Sequence, residues 1–195
     1  MRLRDKIAVI TGASRGIGKE IALAYAREGA TVVLASRKAE QLEATAQEVQ
    51  AAGGRALAIP THTGHADQCA ALIDQTIIVN MASVAGLQPM PMLGLYSVTK
   101  AAVIMLTKAL AQELALHHIR VNAIAPGVVR TRFAQALWEN DQVRERIEAS
   151  TPLGRLAEPV EVAEAAVYLA SDGASYVTGH VLVVDGGGTI SGIVL

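Results

Sequence analysis

Short apolar segments alternate with amphipathic ones along almost the whole chain, and this alternation limits the folds open to it more than any other feature. Strands are expected at Lys6–Ile10, Thr31–Ala35, Ala56–Pro60, Ile77–Ala82, Arg120–Ala125 and Val181–Val184. Between most of them, apolar residues recur at the three- and four-residue spacing of a helix that buries one face. Strands that alternate with helices pair in parallel and carry the helices on their faces. The sequence therefore predicts an α/β fold in a single domain that spans residues 1–195.

The spacing of apolar residues also predicts which face of each helix packs on the sheet. In the first helix these residues are Ile17, Ile21, Ala24 and Tyr25, and in the second they are Leu42, Ala46 and Val49. In a later helix that begins near Tyr96 they are Val98, Ala101, Ala102, Met105, Ala109 and Leu110, opposite Thr107, Lys108, Gln112 and Glu113. Further helical segments are expected to start at Ala66 and at Pro159, and a polar, helix-prone stretch covers 131–150.

Composition excludes several classes of partner. The net charge of −1 provides no basic field for nucleic acid or for acidic lipid. No segment approaches the roughly 20 uninterrupted apolar residues of a membrane-spanning helix. The single cysteine, Cys69, suits a reducing compartment. We therefore expect a cytoplasmic protein that binds neither nucleic acid nor membrane.

A glycine-rich segment, TGASRGIG, lies between the first strand and the first helix. Glycines at such a turn let the backbone approach a pyrophosphate, which then rests on the helix N-terminus. A P-loop would need Ser or Thr after its lysine, whereas Glu20 follows Lys19 here. An ordinary strand-to-helix turn is the remaining alternative. The candidate dinucleotide contacts are Thr11, Gly12, Ser14, Arg15, Gly16, Ile17 and Gly18.

The end of the second strand indicates which nicotinamide dinucleotide is bound. A carboxylate there would bond the ribose 2′-hydroxyl, whereas cations accept a 2′-phosphate. This chain has Ser36, Arg37 and Lys38, and Arg15 offers a further guanidinium from the glycine turn. The alternative is that Arg37 and Lys38 are only the solvated start of a helix. The sequence favours NADP(H) over NAD(H).

Three residues form a candidate catalytic set. In YSVTK, Tyr96 and Lys100 lie one helical turn apart on one face. An ammonium close to a phenol favours the phenolate, so Tyr96 is a candidate proton donor to a carbonyl oxygen. Ser83 ends the preceding strand, at the carboxyl edge where α/β sheets bind ligands. The alternative is that Tyr96 is only an aromatic residue at a helix start and that Lys100 is only a solvated lysine.

Together these segments resemble the short-chain dehydrogenase/reductase family, specifically its NADP-linked carbonyl-reductase type. IRVNAIAPGVVRT resembles the family's sixth strand and VTGHVLVVDGG its last. The resemblance implies a doubly wound parallel sheet (Rossmann fold) and interconversion of a small-molecule carbonyl compound and an alcohol. It implies that Ser83 orients the substrate, that Tyr96 is the acid/base, and that Lys100 binds ribose and tunes Tyr96. It also implies a homo-oligomer through the helix that begins at Tyr96. Further cofactor contacts expected after the sixth strand are Pro126, Gly127, Val129 and Thr131.

The segment LIDQTIIVNMASVAG departs from the family pattern. The resemblance implies a fourth strand and a following helix that carries a catalytic asparagine, and both are missing between Gln75 and Thr76. The gap corresponds to about 50–60 residues, since a βαβ unit takes about 30 or more. We expect the gap to impair activity. The alternative function is a non-catalytic nucleotide-binding or interaction protein derived from such an enzyme.

The sequence contains two weaker signals. His62 and His65 have no third ligand arranged nearby, so no metal site is expected. Four apolar residues could line a substrate pocket or equally pack in the core: Leu93, Phe133, Leu137 and Trp138.

Overall fold

The computed structural model describes residues 1–61, 77–90 and 92–191. The helix start expected at Ala66, the junction between Gln75 and Thr76, and the side chains of Cys69, His62 and His65 lie outside the described residues.

The described chain alternates strands and helices as the sequence predicts, with boundaries that mostly agree within one or two residues. The strands are β1 Ile7–Thr11, β2 Thr31–Ser36, β3 Arg55–Pro60, β4 Ile78–Met81, β5 Val121–Pro126 and β6 Val181–Val184. The helices are α1 Gly16–Arg27, α2 Ala39–Ala51, α3 Gly94–Leu114, α4 Gln135–Trp138, α5 Asp141–Ser150 and α6 Pro159–Ala170. Short 3-10 turns cover Val84–Gly86, Ala115–His117, Arg132–Ala134 and Asp172–Ala174.

The chain divides into two compact units. The first comprises Met1–Ile77 and Ala166–Ser175, and the second comprises Ile78–Ala165 and Tyr176–Leu195. Each contains a three-stranded parallel sheet, in the order β1-β2-β3 and β4-β5-β6. The prediction of an α/β fold with parallel strands is confirmed. In the described part of the chain β4 is the next strand after β3, and residues 62–76 between them lie outside the described residues. A single domain over 1–195 stays a prediction.

In the first unit, β2 is the central strand and α1 and α2 bury the faces that their spacing predicts. Ile21 and Tyr25 of α1 are buried, as are Leu42 and Val49 of α2. The Tyr25 hydroxyl, which would be costly to bury without a partner, donates a hydrogen bond of 2.9 Å to the Ala166 carbonyl oxygen. Burial of these side chains from water supplies the main stabilisation of this unit.

In the second unit, β5 is the central strand and all six of its residues are buried. Its one polar side chain, Asn122, is fully buried and bonded at both ends of its amide. Asn122 Nδ2 donates to the Val177 carbonyl at 2.9 Å, and Asn122 Oδ1 accepts from the His180 N–H at 3.0 Å. The amide therefore fastens the loop before β6 to the central strand.

The helix α3 buries a different face from the one predicted. Its buried residues are Ser97, Ile104, Thr107 and Ala111. Thr107, expected on the polar side, donates to the Val103 carbonyl at 2.8 Å and accepts from Asn80 Nδ2 at 3.0 Å. Small and internally bonded side chains let α3 approach the sheet closely, which leaves the more apolar stripe outside. Val98 and Met105 of that stripe are 64% and 65% exposed.

The segment Gly94–His117, 24 residues long, is long and apolar enough to cross a membrane by length and composition alone. Its apolar character reflects two different faces, since one packs on the sheet and the other is exposed. The exposed stripe includes Val98, Ala102, Met105 and Ala109, at alternating spacings of four and three residues. Such spacing is typical of a helix that packs along another helix.

Candidate active site

The glycine turn of the first unit has the backbone conformation that its sequence predicts. Gly12 and Gly16 have φ values of +67° and +58°, a region that residues with a side chain rarely adopt. A Cβ on Gly18 would lie 2.5 Å from the carbonyl oxygen of Gly12, so only glycine lets α1 pack this closely on the turn. The N–H of Gly12 donates to the Ala35 carbonyl at 2.8 Å, which ties the turn to the end of β2.

The turn leaves an anion site at the start of α1. Arg15, the residue before α1, forms no side-chain hydrogen bond with the first N–H groups of the helix. The first turn of α1 contains no acidic residue. The first N–H groups of a helix lack intrahelical acceptors and carry the positive end of its dipole. A Cβ built on Gly12 meets nothing within 4 Å, so there is space beside the turn. These features fit the pyrophosphate of a dinucleotide.

The end of β2 brings polar groups to the same edge of the first sheet. Arg15, Arg37 and Lys38 are exposed, and none of the ion pairs within residues 1–61, 77–90 and 92–191 includes them. The Ser36 Oγ is buried and has no hydrogen-bond partner in that part of the chain. An unpartnered hydroxyl beside unpaired cations fits a phosphate ligand. The first unit thus carries the predicted residues Thr11, Gly12, Ser14, Arg15, Gly16, Ile17, Gly18, Ser36, Arg37 and Lys38.

The second unit carries the predicted catalytic set. Ser83 follows β4 and starts the 3-10 turn Val84–Gly86, where its Oγ accepts from the Ala85 N–H at 3.2 Å. Accepting this bond leaves the hydrogen of the Ser83 hydroxyl available to a ligand.

Tyr96 and Lys100 face each other on the first turns of α3. The Lys100 Nζ lies 5.6 Å from the centre of the Tyr96 ring and donates to the Met81 carbonyl oxygen at 2.9 Å. Burial lowers the pKa of the Lys100 ammonium below its ordinary value, because burial penalises the charged form. The pair therefore has the mutual geometry that the spacing predicts, and the lysine is anchored to the end of β4.

Gly86 is a site residue that the sequence interpretation missed. A Cβ on Gly86 would lie 2.6 Å from the carbonyl carbon of Lys100 and 2.9 Å from the backbone nitrogen of Ala101. The turn that holds Ser83 therefore packs directly on the backbone of the helix that holds Lys100. The signal in the sequence was a glycine three residues after the candidate serine, in SVAG.

The remaining predicted contacts lie at the carboxyl end of β5. Pro126 ends the strand, the Gly127 N–H donates to the Val184 carbonyl at 3.0 Å, and Val129 forms an isolated bridge with Ala157. The Thr131 carbonyl accepts a hydrogen bond from Trp138 Nε1 at 3.0 Å. The Thr131 hydroxyl accepts a hydrogen bond from the Ala134 N–H and so caps the turn Arg132–Ala134. That turn places the Phe133 ring 6.1 Å from the Tyr96 ring, and Phe133 is 85% exposed.

In the described part of the chain, no group of three or more His, Cys, Asp or Glu side chains could hold a metal ion. The first unit offers a glycine turn that fits a dinucleotide, and the second unit offers the Ser83, Tyr96 and Lys100 set. These are the parts of a nicotinamide-dependent oxidoreductase.

Comparison with known families agrees. Residues 6–77 match the family model described as short chain dehydrogenase, and residues 75–189 match the one described as enoyl-(acyl carrier protein) reductase. The chain belongs to the short-chain dehydrogenase/reductase family of NAD(P)-dependent oxidoreductases.

Individual relatives are similar along their length. The chain is 33% identical to an uncharacterized oxidoreductase of Mycobacterium tuberculosis, over 95% of this chain and 93% of that protein. It is 32% identical to tropinone reductase-like 3 of Erythroxylum coca, over 95% and 94% respectively. The first alignment spans 245 positions, while 95% of these 195 residues is about 185, which leaves about 60 positions without a residue here. The chain is thus shorter than its relatives by about the length of the unit that the sequence lacks.

A solved structure supports the fold assignment. A protein of Beutenbergia cavernae, described as an NAD(P)-dependent gluconate 5-dehydrogenase with NADP bound at low occupancy, superposes with a TM-score of 0.90. It is 32% identical to this chain, and the match covers 97% of this chain and 98% of that one. The Rossmann-type fold class is confirmed.

The contact at Gly86 generates a prediction with a matched control. Gly86→Ala should lower the free energy of unfolding by about 1–3 kcal/mol, because the added methyl meets backbone atoms that cannot rotate away. Gly94→Ala, at the start of the same helix, adds a methyl that meets nothing within 4 Å. It should raise the free energy of unfolding by about 0.4–1 kcal/mol, since alanine restricts the unfolded chain. Urea denaturation measures the free energy of unfolding of both variants. A Gly86→Ala variant with the same free energy of unfolding as the parent would contradict the packing argument.

Proposed function

We propose that the chain is an NADP(H)-dependent oxidoreductase that interconverts a small-molecule carbonyl compound and an alcohol. The observation that carries the proposal is the Lys100 Nζ held 5.6 Å from the Tyr96 ring centre, on a helix that packs on the Ser83 turn. Similarity to a relative that is named tropinone reductase-like 3 supports the assignment of a reductase.

The three side chains have distinct roles in this proposal. NADPH supplies a hydride to the carbonyl carbon when it is bound. Tyr96 donates its phenolic proton to the carbonyl oxygen, so the product is a neutral alcohol. The Ser83 hydroxyl donates a hydrogen bond to the same oxygen and orients it. The positive charge of Lys100, 5.6 Å from the Tyr96 ring centre, attracts the negative charge that develops on the Tyr96 oxygen as its proton leaves. Oxidation of an alcohol reverses each step.

The preference for NADP(H) rests on the charges at the end of β2. Arg37 and Lys38 follow Ser36, with no carboxylate among them. Arg15 belongs to the glycine turn, which the hydrogen bond from the Gly12 N–H to the Ala35 carbonyl ties to the end of β2. An adenosine 2′-phosphate would be bound by these cations and by the unpartnered Ser36 hydroxyl. NADP in the structure of the Beutenbergia cavernae protein supports this choice.

Replacement of Arg37 tests the cofactor preference. Arg37→Asp should weaken NADPH binding by at least tenfold and shift preference toward NADH, because a carboxylate repels the 2′-phosphate and accepts from a ribose hydroxyl. Arg55→Asp is the matched control, since Arg55 is also exposed but lies at the start of β3, the opposite end of the sheet. Fluorescence titration with both cofactors measures the affinities. If the parent and Arg37→Asp show the same preference between NADPH and NADH, the assignment of the 2′-phosphate to Arg37 is ruled out.

We also propose that the missing unit slows catalysis, because one strand and the helix expected to support Lys100 are lacking. The alternative function is that of a protein that binds the nucleotide without catalysis. A turnover assay distinguishes this alternative from an enzyme.

Replacement of Tyr96 tests the catalytic assignment. The 195-residue chain should oxidise NADPH measurably in the presence of a small ketone, and Tyr96→Phe should lower kcat by at least 10²-fold, because the proton donor is lost while the ring remains. NADPH affinity should change little. Tyr176→Phe, at a fully exposed tyrosine, is the control. Unchanged turnover in Tyr96→Phe would refute the role of Tyr96, and NADPH binding without turnover in the parent would support the non-catalytic alternative.

We further propose that a second copy of the chain covers the exposed stripe of α3, which makes the protein a homo-oligomer. Val98 and Met105 are more than half exposed and follow the helix-pairing spacing. The low net charge and the single cysteine support our further proposal of a cytoplasmic protein that binds neither nucleic acid nor membrane.

A charge in the stripe tests the oligomer. Met105→Glu should dissociate the oligomer, because it would bury a carboxylate against an apolar partner. Lys108→Glu, on the same helix but outside the stripe, should leave the assembly intact. Sedimentation velocity measures the mass of each, and a parent chain that sediments as a monomer at tens of micromolar would refute the proposal.

A further inference from the structure

A cavity of about 390 Å³ lies entirely within the second unit. Its walls come from the segments that follow all three strands of that sheet: 84–90 after β4, 127–128 after β5, and 184–191 at the end of β6. Residues 147–161 close the remaining side. Parallel strands have their carboxyl ends at one edge, so the cavity opens at the edge where α/β proteins bind ligands.

The charged side chains in the cavity wall are already engaged with the protein. Arg155 forms two hydrogen bonds with Glu161, of 2.8 Å and 2.6 Å. The Asp185 carboxylate accepts from the N–H groups of Gly187 and Thr189, at 2.9 Å and 2.7 Å. The three charges sum to −1, so the wall offers no free cation to an anionic ligand.

Several hydroxyl groups in the wall are also satisfied internally. Ser150 and Thr151 both donate to the Ile147 carbonyl, at 2.9 Å and 2.8 Å. The Ser191 hydroxyl donates to the Gly188 carbonyl at 2.8 Å, and the Ser150 carbonyl lies 3.1 Å from it. Apart from the Gln88 side chain, what remains for a ligand to contact is mainly aliphatic. The apolar lining includes Val84, Met90, Val128, Ile147, Leu153 and Leu156.

We infer that this cavity receives the uncharged, apolar substituent of the substrate, such as the alkyl chain of a ketone. The inference rests on the proposed function, which places the carbonyl group at Ser83. Val84, the next residue, lies in the cavity wall, as does Gly127, which follows the last residue of β5. A chain attached to a carbonyl at Ser83 would therefore enter an aliphatic space, and an anionic chain would meet the carboxylate of Asp185.

Two nearby methionines provide matched variants. Met90 lines the cavity, whereas Met92 is fully exposed and does not. The probe is N-phenyl-1-naphthylamine, an uncharged apolar fluorophore, bound to the full chain without cofactor. We expect 2-decanone to displace it, and 2-butanone and gluconate not to. Met90→Gln should weaken binding of the fluorophore and of 2-decanone roughly tenfold, because an amide replaces apolar wall. Met92→Gln should bind both as the parent does.

Turnover separates failure of this inference from failure of the proposed function. If both hold, the kcat/KM of the parent for 2-decanone exceeds that for 2-butanone, and Met90→Gln reduces the ratio. Equal kcat/KM for the two ketones, with equal fluorophore binding by parent and Met90→Gln, would overturn the cavity assignment and leave the oxidoreductase intact. Displacement of the fluorophore by 2-decanone without reduction of either ketone would overturn the proposed function while it supports an apolar binding cavity.

Discussion

The contact between the end of β4 and the helix α3 is the constraint on which the rest of the candidate site depends. Two interactions form it: Gly86 packs on the backbone of Lys100, and the Lys100 Nζ donates to the Met81 carbonyl at 2.9 Å. The first has no room for a side chain, and the second uses a carbonyl fixed by its strand. Because reaction rates are sensitive to displacements of about 1 Å, such a rigid junction suits a site that must align a serine, a tyrosine and a lysine.

Much of the fold and site could be predicted because the signals are local. Strand and helix periods, positive-φ glycines at the dinucleotide turn, and the one-turn spacing of Tyr96 and Lys100 each depend on residues close in sequence. The family assignment then followed from several such signals in one order. The comparisons confirm the family and the fold class, while the assigned roles of single residues stay predictions.

The errors and omissions involve contacts between distant residues. The spacing identifies an apolar stripe on α3, but the prediction that this stripe packs on the sheet is wrong. Which side faces the sheet depends on Asn80 and on small residues such as Ala111, and not on apolar content. Likewise, the cavity wall joins segments from 84 to 191, and only the fold brings them together. An apolar stripe in a sequence indicates that something covers it. Whether that is the chain's own sheet or another copy depends on tertiary packing.

The burial of Lys100 connects stability with function. Burial lowers the pKa of its ammonium, so the folded state holds that proton less tightly than the unfolded state does. The unfolded chain therefore binds more protons between the lowered pKa and the ordinary value of 10.5. By linkage, this residue opposes folding most at pH values below the lowered pKa, and its cost declines as the pH rises through that window. The half-buried Lys100 beside Tyr96 therefore costs the folded state stability. Groups whose pKa is shifted by burial cluster at functional sites, so this cost agrees with the role proposed for Lys100 beside Tyr96, with the Met81 carbonyl as its acceptor.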